Sequence, residues 1–193
     1  MSTELDILAA QVATCEKCKL CKTRTNTVFG DGNEKAELMF IGEGPGEEED
    51  KSGFPFVGKS GQLLSKMLDT CLGLTRDQIY IANIVKCRPP ENRDPEPEEV
   101  LACIGYLTKQ IQLVKPKVIV TLGRVASQTL LATDEKIGKL RGMKHEFDGI
   151  VVVPTWHPSY LLRKPMARWD TVEDMKLVRQ ELNLPEKLDT TRK

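Results

Sequence analysis

The chain has 193 residues, 40% of them apolar, and its 28 Lys plus Arg balance 28 Asp plus Glu to a formal net charge of zero. That length and composition suit one globular domain with a sizeable core and exclude a strongly basic chain, so any contact with nucleic acid must come from a local basic face rather than net charge. The first thirty residues hold no apolar run long enough for a signal peptide, and no segment approaches the roughly 20 apolar residues of a membrane span; a cytoplasmic protein without a membrane partner is expected.

Along the chain, residues 4 to 12 read as a short helix ahead of the first cysteines. The turn-rich stretch from Thr25 to Lys35 leads into an apolar strand at residues 37 to 42. From Ser60 to Leu72, Leu63, Leu64, Met67, Leu68, Cys71 and Leu72 share one helical face, and Ile79 to Val85 is apolar and β-branched, as a buried strand requires. A proline-rich loop from Pro89 to Pro97 precedes a second amphipathic helix over 98–114, the strand Val118 to Leu122, and a third helix opened by Gly123. Met143 to Phe147 and Ile150 to Pro154 flank Asp148-Gly149, a hairpin signal, and the second arm delivers Trp156-His157-Pro158. A closing helix is expected over 171–182, and a flexible tail from about Lys187. Strands alternating with helices imply an α/β fold: a mainly parallel sheet covered on both faces, with its ligand crevice beyond the carboxyl ends of the strands.

The first strand runs into Gly42-Glu43-Gly44-Pro45-Gly46-Glu47-Glu48-Glu49-Asp50. Glycines after a strand let backbone approach a ligand, and such turns usually cradle phosphate. Five carboxylates within eight residues would repel one, so this turn suits an uncharged polar ring or a water positioned against a developing cation. The Gly42 turn, Asn83 and His157 all follow or end central strands and are expected to face one crevice.

Cys15, Cys18 and Cys21 form a Cys-x2-Cys-x2-Cys run, with Cys87 and Cys103 far downstream. In a cytosolic protein this spacing argues for metal, either tetrahedral zinc or an iron–sulfur cluster, and spacing does not choose between them. Five candidates compete for four places. Cys71, on an apolar helix face, reads as core.

The acidic glycine turn, Phe54-Pro55-Phe56-Val57-Gly58, Asn83-Ile84-Val85-Lys86-Cys87-Arg88-Pro89-Pro90 and His157-Pro158-Ser159-Tyr160-Leu161-Leu162 together resemble a family 4 uracil-DNA glycosylase, from about Cys15 to Leu182. The resemblance implies one domain over 1–193, residues 1–35 forming an N-terminal helix and cluster-binding segment, and a three-layer α/β/α sandwich around a four-stranded mainly parallel sheet. It implies removal of uracil from single- or double-stranded DNA, leaving an abasic site for base excision repair, by a monomer. A [4Fe-4S] cluster on Cys15, Cys18, Cys87 and Cys103 is also implied, with Cys21 as an extra thiol.

Such an enzyme flips its base into a pocket that stacks on the ring and reads its edge. Phe56 is then the stacking residue, Asn83 suits uracil O4 and N3–H, and His157 faces O2, where negative charge develops. Gly44 lies against the substrate, and Asn92 contacts substrate or water. Glu43 is the first candidate to orient the water and Glu49 the second; in family 1 enzymes an aspartate stands where this chain has Gly44, so that base does not carry over. Leu161 and Leu162 are each candidates either to wedge the base stack or to belong to the core, while Arg163, Lys164 and Arg168, with Lys86, Arg88 and Arg93, would grip phosphates. The competing readings are an iron–sulfur electron-transfer protein, which leaves His157 and Asn83 unexplained, and a non-catalytic nucleic-acid-binding module.

Overall fold

A computed structural model of the chain describes residues 3–185; the tail expected from Lys187 lies outside the described residues. The elements are α1 (Glu4–Ala13), β1 (Asp31–Gly32), β2 (Leu38–Gly42), α2 (Glu47–Ser52), α3 (Lys59–Met67), β3 (Tyr80–Asn83), α4 (Pro97–Val114), β4 (Val118–Leu122), α5 (Arg124–Leu131), α6 (Ile137–Leu140), β5 (His145–Phe147), β6 (Ile150–Thr155), α7 (Pro158–Arg163) and α8 (Arg168–Glu181). Every residue of β2, β3 and β4 is buried, as apolar strands covered on both faces must be.

The strands form one sheet in the order β1-β3-β2-β4-β6-β5. The inner four are parallel, as expected, and two short antiparallel edges widen the sheet to six. The β5–β6 arm follows the hairpin signal, with Asp148 and Gly149 both at positive φ (48° and 78°). The edge β1 is only two polar residues long and carries no periodic signal.

The alternation of side chains along β2 sorts the core into two layers. Met39 and Ile41 face α1, α4 and α5 through Leu8, Val12, Leu107, Ile111 and Leu130. Leu38 and Phe40 face Leu64, Leu68, Met175 and Val178 of α3, its π-type extension Leu68–Leu72, and α8. The chain therefore goes from β2 to β3 across one face and returns past β2 to β4 across the other. The order reverses beside β2, and the crevice of an open α/β sheet lies at such a switch point, outside the carboxyl ends of the strands.

Candidate functional site

Parallel register sets Gly42, the last residue of β2, beside Asn83, the last of β3. A Cβ on Gly42 would lie 2.4 Å from Asn83 Oδ1 and 2.7 Å from Phe56 Cζ, so only glycine leaves this space open. Asn83 Oδ1 is buried and has no hydrogen-bond partner among the described residues. Such an atom costs about 1–3 kcal/mol, a cost that folds tolerate where a ligand supplies the missing donor.

Phe56 is brought to this point by a strained loop. Its φ is +52°, a region that residues with side chains adopt only when their surroundings impose it. Three fixings do so here. Glu49 Oε1 accepts from Val57 N–H (2.9 Å) and Gly58 N–H (3.0 Å). Arg76 donates to the carbonyls of Phe56 (2.9 Å) and Pro55 (2.8 Å) and pairs with Asp31. Gly61 lets α3 press against the Phe56 carbonyl, where a Cβ would come within 1.8 Å.

His157 caps α7 from the end of β6. Its ring lies 5.8 Å from that of Phe56, tilted 37°. Ser159 N–H donates to His157 Nδ1 (3.1 Å), so Nδ1 is the acceptor nitrogen, and the neutral ring carries its hydrogen on Nε2. Burial first, then the Arg163 charge, pushes the imidazole down to about 4, so it is a neutral donor at physiological pH. The strand end is pinned to α8: Thr155 donates to Asp174 (2.6 Å), Trp156 Nε1 to Asp170 (3.0 Å), and Arg141 holds Asp174 through two nitrogens (2.8 and 3.1 Å). Periodicity gave no sign of this network, because its members are far apart in sequence.

Glu43 is half-buried just beyond β2. Burial and then the negative charge of Asp94 push its carboxyl up to about 7, with Arg124 opposing. Arg124 pairs directly with Asp94. Neither partner was singled out from sequence; a polar loop and the start of a helix gave no reason to place them over Glu43. Gly44 packs on Val85, where a Cβ would sit 2.7 Å from Cγ2, so its smallness serves the turn. Asn92 is exposed and accepts from Arg88 Nε (2.9 Å); no hydrogen bond among the described residues ties it to Asn83, Phe56 or His157.

The acidic run resolves into separate tasks on α2, whose first turn welcomes carboxylates. Glu47 and Glu48 are exposed and pair with Lys51. Asp50 is buried and accepts from Thr25 N–H (2.9 Å). Glu49 brackets the Phe56 loop as described, so one of its oxygens is already engaged.

Leu161 is fully buried, which removes it as a wedge and leaves Leu162, 41% exposed. Of the basic residues expected at phosphates, Arg163, Lys164 and Arg168 are exposed beside Met166 and Trp169. The loop after Asn83 departs from expectation. Lys86 is buried, Arg93 is held by both oxygens of Glu99 (2.7 and 2.8 Å), and Arg88 bonds Asn92, so this loop spends its cations internally.

Cys15, Cys18, Cys21, Cys87 and Cys103 line one cavity with Val12, Lys17, Arg24, Lys86, Ala102 and Tyr106. None of the five is disulfide-bonded. Arg24 donates to Cys87 Sγ and Lys86 N–H to Cys103 Sγ, both at 3.3 Å. Burial pushes the Cys87 thiol up to about 11, with Arg24 opposing, so a metal bound here must displace protons. Among the described residues, no three His, Cys, Asp or Glu side chains converge on a single-ion site. Cys71 lies apart, half-buried against the α3–α8 layer. No helix among the described residues is long and apolar enough to cross a membrane.

The family model of the uracil DNA glycosylase superfamily matches residues 29–183. The chain is 48% identical to the type-4 uracil-DNA glycosylase of Saccharolobus solfataricus, over 93% of this chain and 87% of that one. It is 47% identical to the Sulfurisphaera tokodaii type-4 enzyme (91% and 84% covered) and 43% identical to that of Archaeoglobus fulgidus (90% and 91% covered). Similarity of this extent, over a fold whose strand ends gather Gly42, Phe56, Asn83 and His157, shows that the chain belongs to the type-4 uracil-DNA glycosylases of the uracil-DNA glycosylase superfamily.

Proposed function

We propose that this protein flips uracil out of DNA, single- or double-stranded, and hydrolyses its N-glycosidic bond, leaving an abasic site for base excision repair. The observation that carries the reading is the buried, unpartnered Asn83 Oδ1 beside the space that Gly42 keeps open, between Phe56 and His157. The Phe56 ring is a stacking wall for the base. Uracil N3–H supplies the donor that Asn83 Oδ1 lacks, and the carboxamide nitrogen serves O4.

As the bond to the sugar breaks, negative charge collects on uracil N1 and O2. His157, neutral with its hydrogen on Nε2, donates to O2 and stabilises that charge. Glu43 in its ionised form orients the water that attacks the cationic sugar, with Asp94 and Arg124 setting its charge. Glu49 contributes by holding Phe56 in place, and its charge also acts on His157. Asn92 steadies the loop that borders the substrate. Arg163, Lys164 and Arg168 grip phosphates while Leu162 fills the gap left by the flipped base.

Cys15, Cys18, Cys87 and Cys103 hold a [4Fe-4S] cluster, and Cys21 is the extra thiol. Cysteine thiols from three segments gathered round one cavity are the donor set that an iron–sulfur cluster uses. When bound, the cluster supplies a covalent tie between the N-terminal segment, the loop after β3 and α4. We take the protein to act as a monomer in the cytoplasm, where the DNA is.

The test is incubation with end-labelled oligonucleotides carrying one uracil, single-stranded or opposite G or A, in EDTA, then alkali. Breakage at uracil and not at thymine is expected. An intact strand from iron-loaded protein would refute the reading in favour of a binding module or an electron carrier.

A further inference from the structure

Lys86 is the one lysine buried among the described residues, 1% exposed, and the expected phosphate contact does not use it. Its Nζ donates to the Asn83 carbonyl (2.8 Å) and to Gln110 Oε1 (2.6 Å). Gln110 is oriented for this task, because its Nε2 donates to the Phe29 carbonyl (3.0 Å) and the Tyr80 hydroxyl (3.1 Å). Both acceptors of the ammonium are neutral. Among the described residues no carboxylate faces it, and its ionisable neighbour is Cys103, whose Sγ accepts the Lys86 backbone N–H. The Lys86 carbonyl is also fixed, accepting from Val28 N–H (2.8 Å), and the next residue is Cys87.

An ammonium removed from water costs several kcal/mol unless an anion answers it. Among the described residues, the cavity that Lys86 lines carries Lys17 and Arg24 but no acidic residue. Thiolates bound to an iron–sulfur cluster carry net negative charge and are the anion this arrangement lacks. We propose that Lys86 is a positioning residue linking the two halves of the protein's work: it is the internal counter-cation of the cysteine centre and the clamp that fixes the Asn83 backbone for base reading. The proposal rests on the glycosylase and cluster readings above. It makes base recognition depend on a loaded cluster through one side chain.

The test compares holoprotein of wild type, Lys86→Met and Lys86→Arg for iron content, cluster midpoint potential, and kcat/KM on a single-stranded uracil oligonucleotide. Lys86→Met is expected to keep its iron, because the four cysteines remain. Its potential falls, because loss of a positive charge disfavours the electron-rich cluster. Its kcat/KM drops by about tenfold or more, the worth of a charged hydrogen bond. Lys86→Arg returns the potential toward wild type. An iron-loaded Lys86→Met protein with unmoved potential or unchanged kcat/KM overturns the proposal.

If Lys86→Met does not load iron, wild-type holoprotein labelled with 15N-lysine decides. One slowly exchanging ammonium signal displaced by the cluster supports the proposal, and its absence overturns it. Wild type that loads iron but leaves uracil in place would refute the glycosylase reading alone, since the potential comparison still judges Lys86 as counter-cation.

Discussion

The positions of Asn83, a polar side chain ending an apolar strand, and of His157, just beyond the second arm of the hairpin, are legible from sequence. What sequence could not give was their state. The tautomer of His157 is set by Ser159 N–H, and its neutrality by burial. With a folded pKa near 4 against 6.5 when unfolded, His157 favours the fold above pH 6.5, and that contribution fades as pH falls toward 4. It therefore gives no limb in a pH–rate profile between pH 5 and 9. His157→Ala is expected to lower kcat by about 10²–10³, the usual worth of a preorganised donor at a developing oxyanion.

Glu43 behaves oppositely. Its folded pKa of about 7 lies above the ordinary 4.5, so the ionised carboxylate opposes folding as pH rises through 7. Glu43→Gln is expected to be more stable than wild type at pH 8 by about 1–3 kcal/mol after allowing for partial exposure, with the difference vanishing near pH 4.5. Its excision rate should fall, and the acid limb near pH 7 in the wild-type profile should be lost. Thermal melts and single-turnover rates across pH 4.5–9 check both. Asp94→Asn, which removes the second cause of the shift, should move that limb to lower pH.

At the scale of elements, long periodic segments were readable and short ones were not. The strands β2, β4 and β6 and the helices α1, α3 and α4 follow their apolar patterns closely, whereas α2 and α7, six residues each, show none. The acidic run gives no periodic signal of the short helix α2, whose first turn holds Glu47, Glu48, Glu49 and Asp50. Burial is equally invisible to charge counting: Lys86 is expected at phosphates and is enclosed. Glu49 tests how well the bracket on the Phe56 loop is understood. A bracket tolerates a neutral acceptor, so Glu49→Gln should keep substantial activity while Glu49→Ala loses about ten- to a hundredfold in kcat/KM. Equal loss in both would make Glu49 the base instead.

For the whole molecule, the parallel sheet brings the ends of β2, β3 and β6 to one rim, and with zero net charge the proposed DNA contact falls to local cations such as those exposed around α7. The double substitution Arg163→Ala with Lys164→Ala should weaken binding to uracil-free and uracil-bearing strands alike and flatten the salt dependence, as measured by fluorescence anisotropy. The cysteines join three distant segments, so Cys87→Ala should lower melting temperature and activity together; loss of iron with neither changed would remove the structural role.

The most direct measurement is single-turnover excision from one uracil oligonucleotide by wild type, Asn83→Ala and His157→Ala, with affinity for the same strand measured beside it. Wild type should release uracil, while both variants lose at least about a hundredfold in rate and keep DNA affinity within roughly threefold. Excision at the wild-type rate by either variant would contradict the placement of the reaction in the crevice formed by Gly42, Phe56, Asn83 and His157.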